Sequence, residues 1–238
     1  MRWAAVLLAL VMLPSIACGD AHSRTVTGSP TPAAAAATVQ VEVPGGTPLA
    51  GRLYGGTAAH GVVLVSAPGG DTGELEALAR VLAAAGTPAL VVAVPHGSPD
   101  ALVDAVRAAV AFMEGQGAQR VALVGEGAGG TLALAAATRA SAVVALSAPA
   151  SYQADGGEVD GTAAVRRIDR PVLFMAALSD RDAATAAQRL YDAARDPRSL
   201  ALVPGAAYGA ALVIGPGAAS TFTLLQDFLR RAFSPLSA

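Results

Sequence analysis

From Val39 the chain reads Val-Gln-Val-Glu-Val, a strict alternation of apolar and polar positions. It turns at Pro44-Gly45-Gly46 and resumes over Pro48 to Tyr54, which predicts an antiparallel pair of strands or a hairpin. At Gly61 the pattern changes to a continuous β-branched run, Gly-Val-Val-Leu-Val, that closes on the small residues Ser66-Ala67-Pro68-Gly69-Gly70 and precedes a helical stretch from Gly73 to Ala85. The unit then recurs. Strand Ala89–Val94 leads to helix Pro99–Met113, strand Arg120–Val124 to helix Ala128–Thr138, and strand Ala142–Leu146 to an irregular excursion around Ser151–Ala164. Strand Val172–Ala176, helix Ala183–Ala194, strand Ser199–Val203 and a last helix near Ala218–Ala232 complete the series. Strands apolar along their whole length, alternating with amphipathic helices, are buried on both faces. The expected fold is therefore α/β, a mostly parallel eight-stranded sheet with helices on both sides. Such sheets take ligands at the carboxyl ends of their strands, so the loops after Val65, Val94, Val124, Leu146, Ala176 and Val203 are where function is expected.

Upstream of the folded part the chain has a different character. Arg2 precedes an apolar stretch from Trp3 to Leu13, followed by Pro14-Ser15-Ile16-Ala17-Cys18-Gly19. This reads as an export signal over residues 1–17, too short to be a permanent membrane span. The cysteine directly after a small residue resembles a bacterial lipoprotein lipobox, with Ser15 in place of the usual leucine. The resemblance implies cleavage before Cys18, lipidation of its thiol, and a protein held to a membrane of the cell envelope by its acyl chains; the alternative is a soluble secreted or periplasmic protein whose cysteine falls there by chance. Residues 18–37 are rich in Ser, Thr, Pro and Ala without apolar periodicity, a composition that suits a tether. His22 lies within it and is assigned no chemistry. Residues 38–238 form the globular domain.

Composition narrows the classes of function. The 238-residue chain is 53% hydrophobic, only 4% aromatic, and carries a formal charge of −2. It has no lysine, so all sixteen basic residues are arginine. Recruitment of nucleic acid needs a basic surface, and that class is set aside. The single cysteine excludes an internal disulfide and a cysteine-built zinc site, and no His, Asp and Glu spacing suits a metal. No cofactor is expected.

The chemistry-bearing segments are three. Arg120 to Ala137 reads RVALVGEGAGGTLALAAA, a strand, a glycine-rich turn and a helix of small residues. The second runs from Arg170 to Ala183 as RPVLFMAALSDRDA, and the third is LALVPGAAYGAAL at Leu200 to Leu212. In this order they resemble the α/β-hydrolase superfamily, in particular its compact serine-esterase and dienelactone-hydrolase-like members. The resemblance implies a G-x-S-x-G nucleophile elbow at Gly125 to Gly129, an acid at Asp180 with Asp182 as an alternative register, and a histidine at position 208. The elbow's flanks, Gly125 and Gly129, are small as the strained turn demands. Its centre is Gly127, which has no attacking atom. Position 208 is a tyrosine, whose phenol ordinarily titrates near 10 and is no base at neutral pH. In the loop after Val65, the family's backbone donor to the oxyanion falls on Pro68, which has no N–H, leaving Ala128 as the remaining donor. The triad-equivalent positions are thus Gly127, Asp180 and Tyr208, and the expectation is a pseudo-hydrolase that binds a small molecule or an envelope partner through the old pocket.

Two other readings of the same residues are weighed. Gly125 to Gly130 also matches G-x-G-x-x-G, but it lies away from the first βαβ unit, Glu126 would repel a pyrophosphate, and no acidic residue closes the next strand. A rewired ester hydrolase would use Ser66 with His96, the one histidine that follows a parallel strand at its carboxyl end. Against it, Pro95-His96-Gly97 reads as a plain turn and Ser66 as a small residue closing a strand. Glu126 is expected to be a solvated neighbour of the elbow, and Ser147 and Ser179 turn residues. Tyr208 is expected either to donate a hydrogen bond to a ligand or to Asp180, or to fill the vacated cavity.

Overall fold

A computed structural model describes residues 36–234. Ten strands and seven α-helices follow in the order β1 (Ala37–Val41), β2 (Leu49–Tyr54), β3 (His60–Val65), α1 (Gly73–Ala84), β4 (Ala89–Val92), α2 (Pro99–Gly115), β5 (Arg120–Glu126), α3 (Ala128–Ala135), β6 (Ala142–Leu146), β7 (Ser151–Ala154), β8 (Gly157–Asp160), α4 (Gly161–Val165), β9 (Val172–Ala177), α5 (Arg181–Ala193), β10 (Arg198–Val203), α6 (Ala211–Ile214) and α7 (Ala219–Phe233). Eight strands make one sheet in the order β1-β2-β4-β3-β5-β6-β9-β10. The pairs β1–β2 and β2–β4 are antiparallel and all others parallel. The expected α/β class and the eight-stranded, mostly parallel sheet are therefore observed.

Because successive side chains of a strand point to opposite faces, each apolar run feeds two cores. Val63, Val65, Leu123, Val143 and Phe174 pack with Leu102 and Val106 of α2, Leu132 of α3 and Leu190 of α5. Val62, Leu64, Val124, Val144 and Met175 pack with Leu75 and Leu78 of α1 and with Leu225 and Phe228 of α7. This is why β3, β5 and β6 show no alternation in the sequence. Burying a Val or Leu side chain contributes about 1.5–3 kcal/mol, and these strands bury one on each side.

Local chemistry sets the boundaries. Ser98 caps α2 by accepting from the Ala101 N–H at 3.4 Å, with Pro99 at the first helical position. Arg198 ends α5, its guanidinium donating to the carbonyl oxygens of Tyr191 and Ala194. The segment expected to be irregular is instead ordered: β7 and β8 form a hairpin with Ala154 opposite Gly157. The two residues between them, Asp155 and Gly156, are of types favoured in turns, and Gly156 takes the positive φ, +77°. Asp160 then caps α4 by accepting from Ala163 N–H at 2.9 Å. That correction rests on a signal the sequence carries, the Asp-Gly pair.

The strand order reverses direction at β3. From β3 the chain steps to β4 on one side, and from β5 onward it runs to the other. The crevice between the carboxyl ends of β3 and β5 is the topological switch point, where ligands of open α/β sheets bind. Among the described residues no helix is long and apolar enough to cross a membrane. The export signal, Cys18, His22 and residues 18–35 of the expected tether lie outside the described residues, and Ala37, placed at the tether's end, already belongs to β1.

Candidate functional site

The turn after β5 is built by close approach of backbone. A β-carbon on Gly125 would run into the Gly129 carbonyl oxygen, and one on Gly129 into the carbonyl oxygens of Val65 and Ser66. Val65 pairs with Gly125 across the β3–β5 ladder, so α3 must start directly over the end of β3. Only glycine fits at both positions. Gly127 sits at the apex, with φ +53° and ψ −130°, immediately before α3. Its N–H donates to the Leu146 carbonyl at 2.9 Å, tying the turn to β6. This is the geometry that would project a side chain from the end of the sheet, at a residue that has none.

Tyr208 fills that space. An added β-carbon on Gly127 would lie 2.5 Å from Tyr208 Oη and 3.4 Å from its Cζ. Tyr208 is 51% exposed, yet its hydroxyl reaches in over the turn. Burial, reinforced by the carboxylates of Glu126 and Asp180, pushes the phenol above its ordinary value of 10.0. At neutral pH it is an uncharged hydroxyl.

Two side chains from neighbouring strand ends hold the backbone on which Tyr208 rides. Ser147 Oγ, just beyond β6, accepts from Gly209 N–H at 3.2 Å. Glu126 Oε2, at the end of β5, accepts from Ala210 N–H at 3.0 Å. Gly209, with φ +57°, is packed so closely that a β-carbon there would lie 2.6 Å from Glu126 Oε2. Ser147 is 2% exposed and is the one non-glycine residue with positive φ, +48°, among those described. Such backbone strain, about 1–3 kcal/mol, persists only where the surroundings impose it. Glu126 is therefore a latch between β5 and α6 rather than the solvated neighbour expected. Burial raises its pKa above 4.5, with the Ala210 bond opposing and the charges of Glu74 and Asp71 adding to the rise.

The other expected residues occupy nearby loops. Asp180 is the N-cap of α5, its Oδ1 accepting from Ala183 N–H at 3.0 Å. Among the described residues no hydrogen bond joins it to Tyr208. Pro68 is buried in the turn after β3, where Gly69 N–H donates to the Val94 carbonyl at 2.8 Å and Gly70 N–H to the Ala67 carbonyl at 2.9 Å. Those N–H groups are engaged, and Pro68 has none. Ala128, as the first residue of α3, has an N–H with no partner inside the helix. Ser66 is fully buried, and its Oγ accepts from Val94 N–H at 3.4 Å. His96 is exposed, with its ring against Gly69. The structure does not join Ser66 and His96 by a hydrogen bond. His60 lies at the opposite edge of the sheet, its ring centroid 4.7 Å from that of Phe233.

Beside Tyr208 a cavity of about 460 Å³ opens between the link after β6 and one face of α5. Ser147, Pro149 and Ser151 line one side, and Asp180, Asp182, Thr185 and Arg189 the other. The sequence singled out Asp180, Asp182 and Tyr208 for this place. Thr185 and Arg189 carried no motif, and only their three- and four-residue spacing along a helix that begins beside Asp182 could have placed them there.

The architecture and the glycine-rich turn at the switch point define the α/β-hydrolase fold, in its compact form. Among solved structures the chain is similar to a dienelactone hydrolase from Anabaena variabilis, with a TM-score of 0.69 and 20% identity over 84% of this chain and 98% of that one. It is similar to the esterase domain of a Rhodothermus marinus protein, with a TM-score of 0.64 and 23% identity over 83% and 99%. An esterase from Pyrococcus furiosus aligns with a TM-score of 0.67 and 12% identity over 84% and 92%. No protein-family model matches the sequence, and no curated protein matches it.

Proposed function

We propose that this chain is a hydrolase-fold protein that does not hydrolyse esters and instead binds a small molecule in the cleft beside Tyr208. One observation carries the reading: the Tyr208 hydroxyl stands 2.5 Å from where a side chain on Gly127 would begin. The slot from which this fold launches a nucleophile is empty of a reactive atom and filled by a neutral phenol. Pro68 supports the same conclusion, because one lost oxyanion donor typically costs about 2.7–4 kcal/mol of transition-state stabilisation. The solved structures that resemble this chain are named as a dienelactone hydrolase and as esterases, so the cleft descends from one shaped for compounds with a carbonyl group. The pattern of residues 1–19 further supports export and attachment to an envelope membrane through lipidated Cys18.

A fluorophosphonate probe tests the reading on the full chain. The expected result is no covalent label, read by intact mass. Stoichiometric labelling, at Ser66 or any other residue, overturns it.

A further inference from the structure

The cavity beside Tyr208 is bipolar. Asp182, Thr185 and Arg189 fall on one stripe of α5 and all line it, with Asp180 just before the helix and Tyr208 opposite. Asp182 and Arg189 are seven residues apart, about 10 Å along the helix axis, which is beyond the three- or four-residue spacing at which helical ion pairs form. Among the described residues neither makes an ion pair or a side-chain hydrogen bond. Asp180 uses one carboxylate oxygen in its cap and has the other left over. A larger hollow of about 700 Å³, under the β7–β8 hairpin, differs in this respect. There Arg107 pairs with Asp104 at 3.0 Å and Arg170 with Asp169 at 3.2 Å, so two of its three guanidinium groups are already compensated, Arg167 being the third.

Asp182 and Arg189 are both exposed and line the same cavity at opposite ends, about 10 Å apart along the helix axis. A ligand complementary to this lining has a cation at one end and an anion at the other. An extended peptide advances about 3.3–3.6 Å per residue, so two or three residues cover that distance. The volume suits a molecule of this size. The carbonyl groups in its middle are acceptors for the Tyr208 hydroxyl, which does not itself carry charge at neutral pH.

We infer that the cleft takes a short peptide with free termini, its ammonium against Asp180 and Asp182 and its carboxylate against Arg189. This rests on the reading of the cleft as a binding site.

The test is calorimetric titration of the full chain with trialanine in four forms: free, N-acetylated, C-amidated and blocked at both ends. The free peptide is expected to bind, and each block to weaken it about fivefold, the scale of a partly exposed charge pair. Arg189→Ala should make the C-amidated and free forms bind alike while keeping the preference for a free amine. Asp182→Asn should erode the amine preference and keep that for the carboxylate. Equal binding of all four forms overturns the inference, as does failure of the free peptide to bind a chain that melts cooperatively. Fluorophosphonate labelling of the same sample reports separately on the absence of hydrolysis, so the two conclusions fail independently.

Discussion

Gly127 and Tyr208 explain each other. With Tyr208 Oη 2.5 Å from the missing β-carbon, a side chain at position 127 would displace the phenol. Gly127→Ala should cost about 2–4 kcal/mol, combining the strain of a positive φ with overlap against the phenol. In a Tyr208→Ala background only the backbone part remains, and the cost should fall by about 1 kcal/mol or more. Urea unfolding of the two single variants and the double one measures the difference; equal costs in both backgrounds would mean the phenol is not seated there. The pairing was half visible in the sequence. Gly127 and Tyr208 were each singled out by the resemblance of their segments to a known family, but not that one fills the other's space, since 81 positions separate them. Ser147 was less visible still, because the Gly209 N–H that occupies its hydroxyl lies 62 residues away.

Among elements, the link between β5 and α6 through Glu126 carries a pH dependence of definite sign. Burial raises the folded pKa of Glu126 above its ordinary 4.5. The native state therefore binds more protons than the unfolded chain between those two values. Stability from this group is fully present below the ordinary value and is lost as pH rises through the folded one. At neutral pH the charged carboxylate is a burden that the Ala210 hydrogen bond offsets only in part. Glu126→Gln keeps an oxygen for Ala210 N–H without the charge, so its melting temperature should exceed that of the parent near pH 7, with the gap closing toward about pH 4. Thermal melts across that range check it, and a gap that widens on acidification contradicts the assignment. The hairpin of β7 and β8 shows the same scale from the sequence side. Its Asp155-Gly156 turn was present to be read, but strands of four residues with one buried side chain between them give almost no apolar pattern. Such a pair is ordered by what it packs on, Gly157 lying against Pro99 at the start of α2.

At the scale of the whole molecule, the cleft is lined from the segments after β6, β9 and β10, and the loops after β3 and β5 end at the same edge of the parallel sheet. Activity is therefore a joint property of separate loops. On the proposed reading, Gly127→Ser and Tyr208→His together should give little ester hydrolysis, because Pro68 has no N–H to offer an oxyanion; adding Pro68→Gly should raise the rate of p-nitrophenyl acetate hydrolysis by about 100-fold or more. Full activity in the double variant would show that the loop after β3 supplies its donor elsewhere. The sequence by itself determined the α/β class, the eight main strands and the tight glycine turn after β5, because burial of both sheet faces and the steric demands of such a turn are written in short stretches of chain, whereas Asp180 and Tyr208 were singled out only by resemblance to the α/β-hydrolase superfamily. Only the tertiary structure decided that Tyr208 plugs the elbow, that Ser147 and Glu126 hold it there, that Ser66 is sealed from His96, and that α5 turns Asp182 and Arg189 toward one cavity. Those are contacts between residues far apart along the chain, and the register of the packed sheet, not any local pattern, sets which of them meet.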